Sequence, residues 1–381
     1  MNTLQMIILA GALTLCFAYA LLIGLFTISW YRIPLQSSSM RPATTVVSII
    51  IAARNEADTL GACLQSLAAQ DYPKQLFEVI VVDDHSIDGT AGLVRNIISA
   101  DPLRKLILLA ADAGSQGKKS AVSKAMDYAA GEWIVTTDAD CTMDKQWLSA
   151  LMKDAGDSGL QMLLAPVVYS HEKSVFGQLQ ELEFMSLIAS SAGAAGLGMP
   201  VMCNGANLAY RKNIFSQLNG YAHDQEFASG DDMFLMMKIR KACGSRAIRF
   251  VKSPLAIVTT KAAVTFSDFA NQRLRWVSKS KGYRDAGVLM TALIVYTFSL
   301  CAFISLLAWA AGLSGPWFPL TLVSVKILTD LPLMMAYSRF AHRRGLMLWY
   351  VPMQFIYLFY VVLFGALGNV MQYRWKGREL K

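Results

Sequence analysis

Glu132-Trp133-Ile134-Val135-Thr136-Thr137-Asp138-Ala139-Asp140-Cys141 decides how this chain is read. Trp133 to Val135 is a short apolar run, the pattern of a buried strand. The run stops on Asp138 and Asp140, two carboxylates one residue apart. In an open α/β sheet, ligands bind beyond the carboxyl ends of the strands. Acidic side chains there can hold a hard divalent cation, and the cation can hold a diphosphate. A lone Asp-x-Asp is also common in polar turns, so the pair needs support from the rest of the chain.

That support lies upstream. Val46 to Ala53 is a β-branched run that reads as a central strand, ending in Arg54-Asn55-Glu56. Ala57 to Ala69 has helical spacing, with Leu60, Leu64 and Leu67 on one face. Asp71-Tyr72-Pro73 breaks it. Phe77 to Val82 is a second strand, ending on Asp83-Asp84. Asp88-Gly89-Thr90 turns the chain into a helix at Thr90. Lys105 to Leu109 is a third strand, and Lys119 to Ala130 a helix stopped by Gly131. Strand and helix alternate four times, which predicts an α/β domain with a mostly parallel sheet. Glu56, Asp83, Asp84, Asp138 and Asp140 then share one edge. So many carboxylates repel unless cations or ligand groups lie between them. Helix capping accounts for Asp83 or Asp88 but not for the whole set.

The composition bounds the rest. The 381 residues are 54% hydrophobic and 16% charged, too apolar for an ordinary soluble protein and too charged to lie wholly in a membrane. Met6 to Trp30 is nearly uncharged and long enough to span a bilayer at roughly 1.5 Å per residue. No Lys or Arg precedes it and it exceeds a signal-peptide core, so it is read as an anchor. Arg32 and Arg41 follow it, which places the next domain in the cytoplasm. Three further apolar runs span Gly287 to Leu313, Trp317 to Tyr337 and Leu346 to Met371. The expected organisation is a transmembrane helix and linker over 1–42, the α/β domain over 43–285, and a membrane region with a basic tail over 286–381. The net charge of +8 suits anionic lipid. No nucleic-acid module or basic-aromatic stripe is present. Cys16, Cys63, Cys141, Cys203, Cys243 and Cys301 form no Cys-x-x-Cys, so neither a zinc site nor a disulfide framework is expected.

Several later segments carry chemistry. Gly114 to Ser120 resembles a phosphate loop but has Asp112 where the first glycine belongs and Lys119 where Ser or Thr should stand. This excludes that ATPase motif. It leaves Lys118, at a helix start, either facing a phosphate or in solvent. Leu160 to Val168 reads as a strand, Ser174 to Ser191 as a helix, and Gly193 to Gly198 as a small, flexible stretch. Cys203-Asn204-Gly205-Ala206-Asn207 leads into another apolar run. Gly230-Asp231-Asp232 opens a helix over Met233 to Ile239. Its two acids either complement the helix dipole or present a general base. Thr265 to Lys281 reads as an amphipathic helix with Gln272, Arg275 and Trp276 on one face. It either lies on anionic lipid or aims an Arg-Trp pair at a diphosphate and a sugar.

Taken in order, these motifs resemble the membrane-bound family 2 glycosyltransferases, including ceramide- and hopanoid-type lipid glycosyltransferases and synthases of poly-N-acetylglucosamine or cellulose. Ala53-Arg54-Asn55-Glu56 matches the opening nucleotide loop, and Val81 to Thr90 the uridine-contacting Asp motif. Thr137-Asp138-Ala139-Asp140 matches the metal motif, Gly230-Asp231-Asp232 the acceptor-base motif, and Gln272 to Trp276 the Gln-x-x-Arg-Trp motif. The resemblance implies a GT-A fold, a UDP-sugar donor, Mg²⁺ or Mn²⁺, and transfer with inversion to a lipid or glycan acceptor. It assigns Ala53, Arg54, Glu56, Asp83, Asp84, Lys118 and Asp138 to the nucleotide. Asp138 and Asp140 go to the metal. Asn204, Gln272, Arg275 and Trp276 go to acceptor or diphosphate. Asp232 is the expected base, with Asp231 second because the motif ends Asp-Asp rather than Glu-Asp.

Three rivals remain. A processive polysaccharide synthase shares every motif, but the few membrane segments favour a single transfer to lipid. A sugar nucleotidyltransferase wants a glycine-rich loop after the first strand, and Ala52 to Ala57 has no glycine. A nucleotide-sensing transporter would use Lys326 and Asp330, one turn apart in an apolar run, whose simpler reading is a structural pair. Arg339, His342, Arg343 and Arg344 between the last two runs, and Arg374, Lys376, Arg378 and Lys381 after them, cannot all be cytoplasmic if the last run crosses once. Trp375-Lys376-Gly377-Arg378 is similar to the tail of the lipid enzymes and favours a cytoplasmic tail.

Overall fold

The computed structural model describes residues 3–36, 43–100, 105–112, 114–222, 230–368, 370–376 and 378–380. Arg41, Gly377 and Lys381 lie outside them. The chain divides into two units. A sheet unit comprises Ile33–Ser170, Met202–Ala262 and Arg374–Lys381, and a helical unit comprises Met1–Arg32, His171–Val201 and Ala263–Tyr373.

The sheet unit holds the strands β1 (Val47–Ala53), β2 (Phe77–Asp83), β3 (Leu106–Ala110), β4 (Trp133–Asp138), β5 (Thr142–Met143), β6 (Met162–Leu164), β7 (Val167–Tyr169), β8 (Leu208–Arg211), β9 (Ile248–Phe250) and β10 (Val258–Thr260). Seven of them form one sheet in the order β3-β2-β1-β4-β8-β6-β9. β3, β2, β1 and β4 are mutually parallel, and β8 is antiparallel to both neighbours. A crossover through a helix links each parallel strand to the next, as the alternation requires. β1 and β2 are buried on both faces, which is why they read as continuous Val/Ile runs rather than alternating ones. Each such buried Val or Ile contributes roughly 1.5–3 kcal/mol.

The register sets the strand ends. Ala53 stands opposite Asp83, and Ala52 opposite Asp138. The acidic termini of β2 and β4 and the loop after β1 therefore lie at one edge.

Two expectations fail locally. Leu160 to Val168 is not one strand. β6 and β7 belong to different sheets, since β7 joins β5 and β10. The break falls at Ala165-Pro166. Proline has no N–H for a ladder, and its carbonyl instead accepts from Val258 N at 3.0 Å and Asn207 Nδ2 at 2.7 Å. Nor is Gly193 to Gly198 a loose stretch, because the helix Val175–Gly196 runs through most of it. A Cβ on Gly193 would stand 2.6 Å from the carbonyl oxygen of Phe26. Glycine is needed there for the close approach of the helix Thr3–Arg32, not for flexibility.

Among the described residues of the helical unit, four helices are long and apolar enough to cross a membrane: Met6–Arg32, Ala286–Ala310, Trp317–Phe340 and Arg344–Leu367. Lys326 and Asp330 form an ion pair at 2.6 Å.

Candidate active site

The loops after β1 and β2 form one braced pair. Arg54 donates to the Asp84 carbonyl at 2.8 Å, Asn55 N to Ser86 Oγ at 2.9 Å, and Ile87 N to Asn55 Oδ1 at 2.9 Å. Asn55 and His85 both adopt left-handed backbone, with φ of 51° and 57°. Residues other than glycine hold that conformation only where surrounding contacts fix it, and such positions cluster at ligand sites. Asp88 secures the second loop. Its carboxylate accepts from Thr90 N at 2.9 Å and from Ala57 N at 3.1 Å. It caps the helix Thr90–Ala100.

Hydrogen bonds from Thr90 hold the Asp88 acid below its usual range. A depressed acid stabilises the fold above its unfolded value, near 3.9, and loses that contribution as pH falls through the folded value. Asp88→Ala should therefore lower the Tm by about 2–4 °C at pH 7. The gap from the parent should close below about pH 3.9. Thermal unfolding across pH checks this.

The acids at the edge divide by environment. Asp83, Asp138, Asp140 and Glu56 are partly exposed, whereas Asp84 is buried. Asp84 Oδ2 accepts from Gly117 N at 3.1 Å and so shapes the loop ahead of the helix Lys118–Tyr128. Ala53 is buried in β1, and its carbonyl accepts from Asp84 N at 2.8 Å.

Lys118, the first residue of that helix, is neither in open solvent nor isolated. Its ammonium lies 2.5 Å from Asp138 Oδ1, 3.3 Å from the Gly205 carbonyl and 4.0 Å from Asp231 Oδ2. Burial pulls the ammonium down, but Asp138 and Asp231, then Asp232, push it above the ordinary lysine range. It stays charged at any physiological pH. Asp231 is buried and Asp232 partly exposed, at the N-terminus of the helix Asp231–Cys243. Asp232 Oδ2 accepts from Gly205 N at 3.1 Å. Gly205 is thus clamped between Lys118 and Asp232, and a Cβ on it would stand 3.0 Å from Lys118 Nζ. Asn204 holds this turn, its Oδ1 accepting from Ala206 N at 2.9 Å.

Asp140 has a different setting. Thr260 donates to its Oδ2 at 3.0 Å. Burial and then the charge of Asp138 raise its acid above the usual range, against the pull of the Thr260 bond. Among the described residues, no three His, Cys, Asp or Glu side chains converge as a closed metal cage. An open pair of carboxylates still suits Mg²⁺ or Mn²⁺ that takes its remaining ligands from phosphate oxygens. The mutual repulsion of Asp138 and Asp140 is the condition such a cation relieves.

The C-terminal tail contributes a residue that local pattern does not reveal. Lys376 pairs with Glu56, and Arg54 Nε donates to the Lys376 carbonyl at 3.3 Å. Only Trp375-Lys376-Gly377-Arg378 hinted at a role for this segment.

Gln272, Arg275 and Trp276 lie on the helix Phe266–Ser278 of the helical unit. The buried residues of that motif are Arg273 and Leu274, and Arg273 pairs with Glu183 at 2.5 Å. Its guanidinium stacks 4.2 Å from the Trp276 ring and bonds to Gln272 Oε1. The sequence pattern did not single out Arg273.

Residues 48–218 match the profile described as glycosyl transferase family 2. That segment carries a glycosyl transferase family 2 domain. The family 2 domain thus covers β1 to β8 and the strand-end acids. An N-acetylglucosaminyltransferase of Rhizobium meliloti (strain 1021) is 28% identical, over 64% of this chain and 57% of its own length. The succinoglycan biosynthesis protein ExoO of the same organism is 29% identical, over 52% of this chain and 57% of its own. The chain spans about half the length of the curated relatives it matches. A solved mannosyltransferase from Pyrobaculum calidifontis, in complex with GDP-Man and Mn²⁺, shares the fold. It has a TM-score of 0.60 and 20% identity, covering 93% of this chain and 97% of that one.

Proposed function

We propose that this family 2 protein transfers a single sugar, with inversion, from a UDP-sugar to a lipid acceptor at the cytoplasmic face of a membrane. The observation that carries the reading is the parallel register of β1, β2 and β4. It sets Asp83, Asp138 and Asp140 at one edge, where Lys118 adjoins both Asp138 and Asp231. Asp83, at the uridine motif, accepts from the base, while Arg54 and Asp84 hold the loops around it. Asp138 and Asp140 hold the divalent cation, which supplies charge compensation for the departing diphosphate. Lys118 adds a fixed positive charge in the same place. Asp232 takes the proton of the acceptor hydroxyl. Asp231 keeps Lys118 charged and positioned. Gln272, Arg275 and Trp276, with Asn204, serve the diphosphate and the acceptor.

The lipid reading is supported by four helices of membrane-crossing length and by apolar runs with few polar groups to line a sugar channel. The relative named for succinoglycan biosynthesis favours a second reading, a polysaccharide synthase. The purified full chain, given labelled UDP-sugars and membrane lipid, should yield a chloroform-soluble product carrying one sugar. UDP-N-acetylglucosamine is the first donor to try, given the names of the relatives. A long water-soluble polymer that grows without added lipid would refute the proposal.

A further inference from the structure

The helical unit contains a cavity of about 70 Å³ lined from five helices. Its polar wall includes Lys326 and Asp330 of the helix Trp317–Phe340, Glu183 and Ser190 of Val175–Gly196, and Gln354 of Tyr350–Leu367. Ile23, Leu333, Met334 and Met353 form an apolar wall. The site belongs to neither the nucleotide edge nor the motifs that assign it.

Its charges are already matched. Lys326 bonds to Asp330 at 2.6 Å and to Tyr19 Oη at 3.2 Å, and Tyr19 donates to the other Asp330 oxygen at 2.7 Å. The Tyr357 ring covers the ammonium at 4.4 Å. Glu183 is held by Arg273 at 2.5 Å and by Tyr360 at 3.0 Å. A charged guest would enter without an unmatched counter-ion and would lose its hydration. By contrast, Gln354 Oε1 is buried with no hydrogen-bond partner, on a residue 6% exposed. A buried acceptor left unpaired is costly, so this oxygen calls for a donor from a guest.

We propose that this pocket binds the uncharged, hydroxyl-bearing headgroup of a diacyl lipid, diacylglycerol being the simplest example. The guest's hydroxyl donates to Gln354 Oε1, Ser190 supplies a second polar contact, and the glycerol carbons lie on the apolar wall. At about 10–15 Å³ per water position, the cavity has room for roughly five waters or one glycerol-sized group. Helices Thr3–Arg32, Ala286–Ala310 and Trp317–Phe340, all of membrane-crossing length, contribute to the lining, so the guest reaches it from a bilayer. The inference rests on the helical unit alone and does not depend on which acceptor the enzyme uses.

The test uses the full chain in phosphatidylcholine nanodiscs that carry equal traces of dioleoylglycerol and dioleoylphosphatidic acid. Lipid retained after transfer to detergent is measured by mass spectrometry. The parent should retain dioleoylglycerol about tenfold over phosphatidic acid. Gln354→Leu should lose about tenfold, the effect of one hydrogen bond to a buried group. Ser190→Val is the second variant, and gel filtration and circular dichroism establish that each is folded. Equal retention of the two lipids, preference for phosphatidic acid, or unchanged retention in a folded variant would overturn the assignment and leave a pocket of water.

Discussion

Asp140→Ala is expected to abolish cation-dependent binding of a UDP-sugar. Asp138 and Asp140 flank the end of β4, and a Mg²⁺ or Mn²⁺ ion with phosphate ligands takes only one or two carboxylates from a protein. Losing one of two leaves no adequate site. Removing an outer-shell partner of a metal ligand already costs about 10–100-fold in affinity, so loss of the ligand itself should exceed a hundredfold. The fold should survive. Asp140's acid is raised by burial and by Asp138. A raised acid stabilises the fold below its unfolded value, and that contribution is lost as pH rises through the folded value. At pH 7 the ionised Asp140 therefore costs the metal-free protein stability, and removing it should leave Tm unchanged or higher. Calorimetry with UDP-sugar, with and without chelator, decides the matter. Chelator-sensitive binding that persists in the folded variant removes Asp140 from the metal site.

The sequence shows the edge of the sheet and hides much of what surrounds it. The parallel order was legible because β1, β2 and β4 are continuous apolar runs, each ending on or just before acids, and a parallel sheet puts such ends together. The sorting of the acids was not legible. Asp83 and Asp84 are adjacent, yet strand alternation turns one toward the edge and the other into the Gly117 amide. Lys118 was ambiguous because its partners, Asp138, Gly205 and Asp231, come from three separate segments. Lys376 and Glu56 meet across more than three hundred positions, and no local pattern encodes such a pair. Pro166 was a visible break that the apolar run around it concealed. Arg273 looked like one more basic residue on an amphipathic helix, but its partner Glu183 lies on another helix.

Asp232→Asn should reduce turnover by about 10²–10⁴-fold while donor affinity changes little. The substitution keeps size and one acceptor oxygen, so it can retain either the bond from Gly205 N or the one from Met233 N at the helix start, and the other is lost. What it removes is basicity, which matters only when the acceptor hydroxyl gives up its proton. Asp231→Asn should behave differently. Asp231 is buried and stands 4.0 Å from Lys118, whose charge it helps to maintain. Its loss should weaken donor binding through Lys118 and raise KM more than it lowers kcat. The two variants, assayed for kcat, KM and donor affinity, therefore separate a base from a positioning residue. A nearly inactive Asp231→Asn with normal donor affinity, beside an active Asp232→Asn, would reverse the roles. The difference in exposure argues the other way: Asp232 is the member of the pair that an incoming hydroxyl can reach.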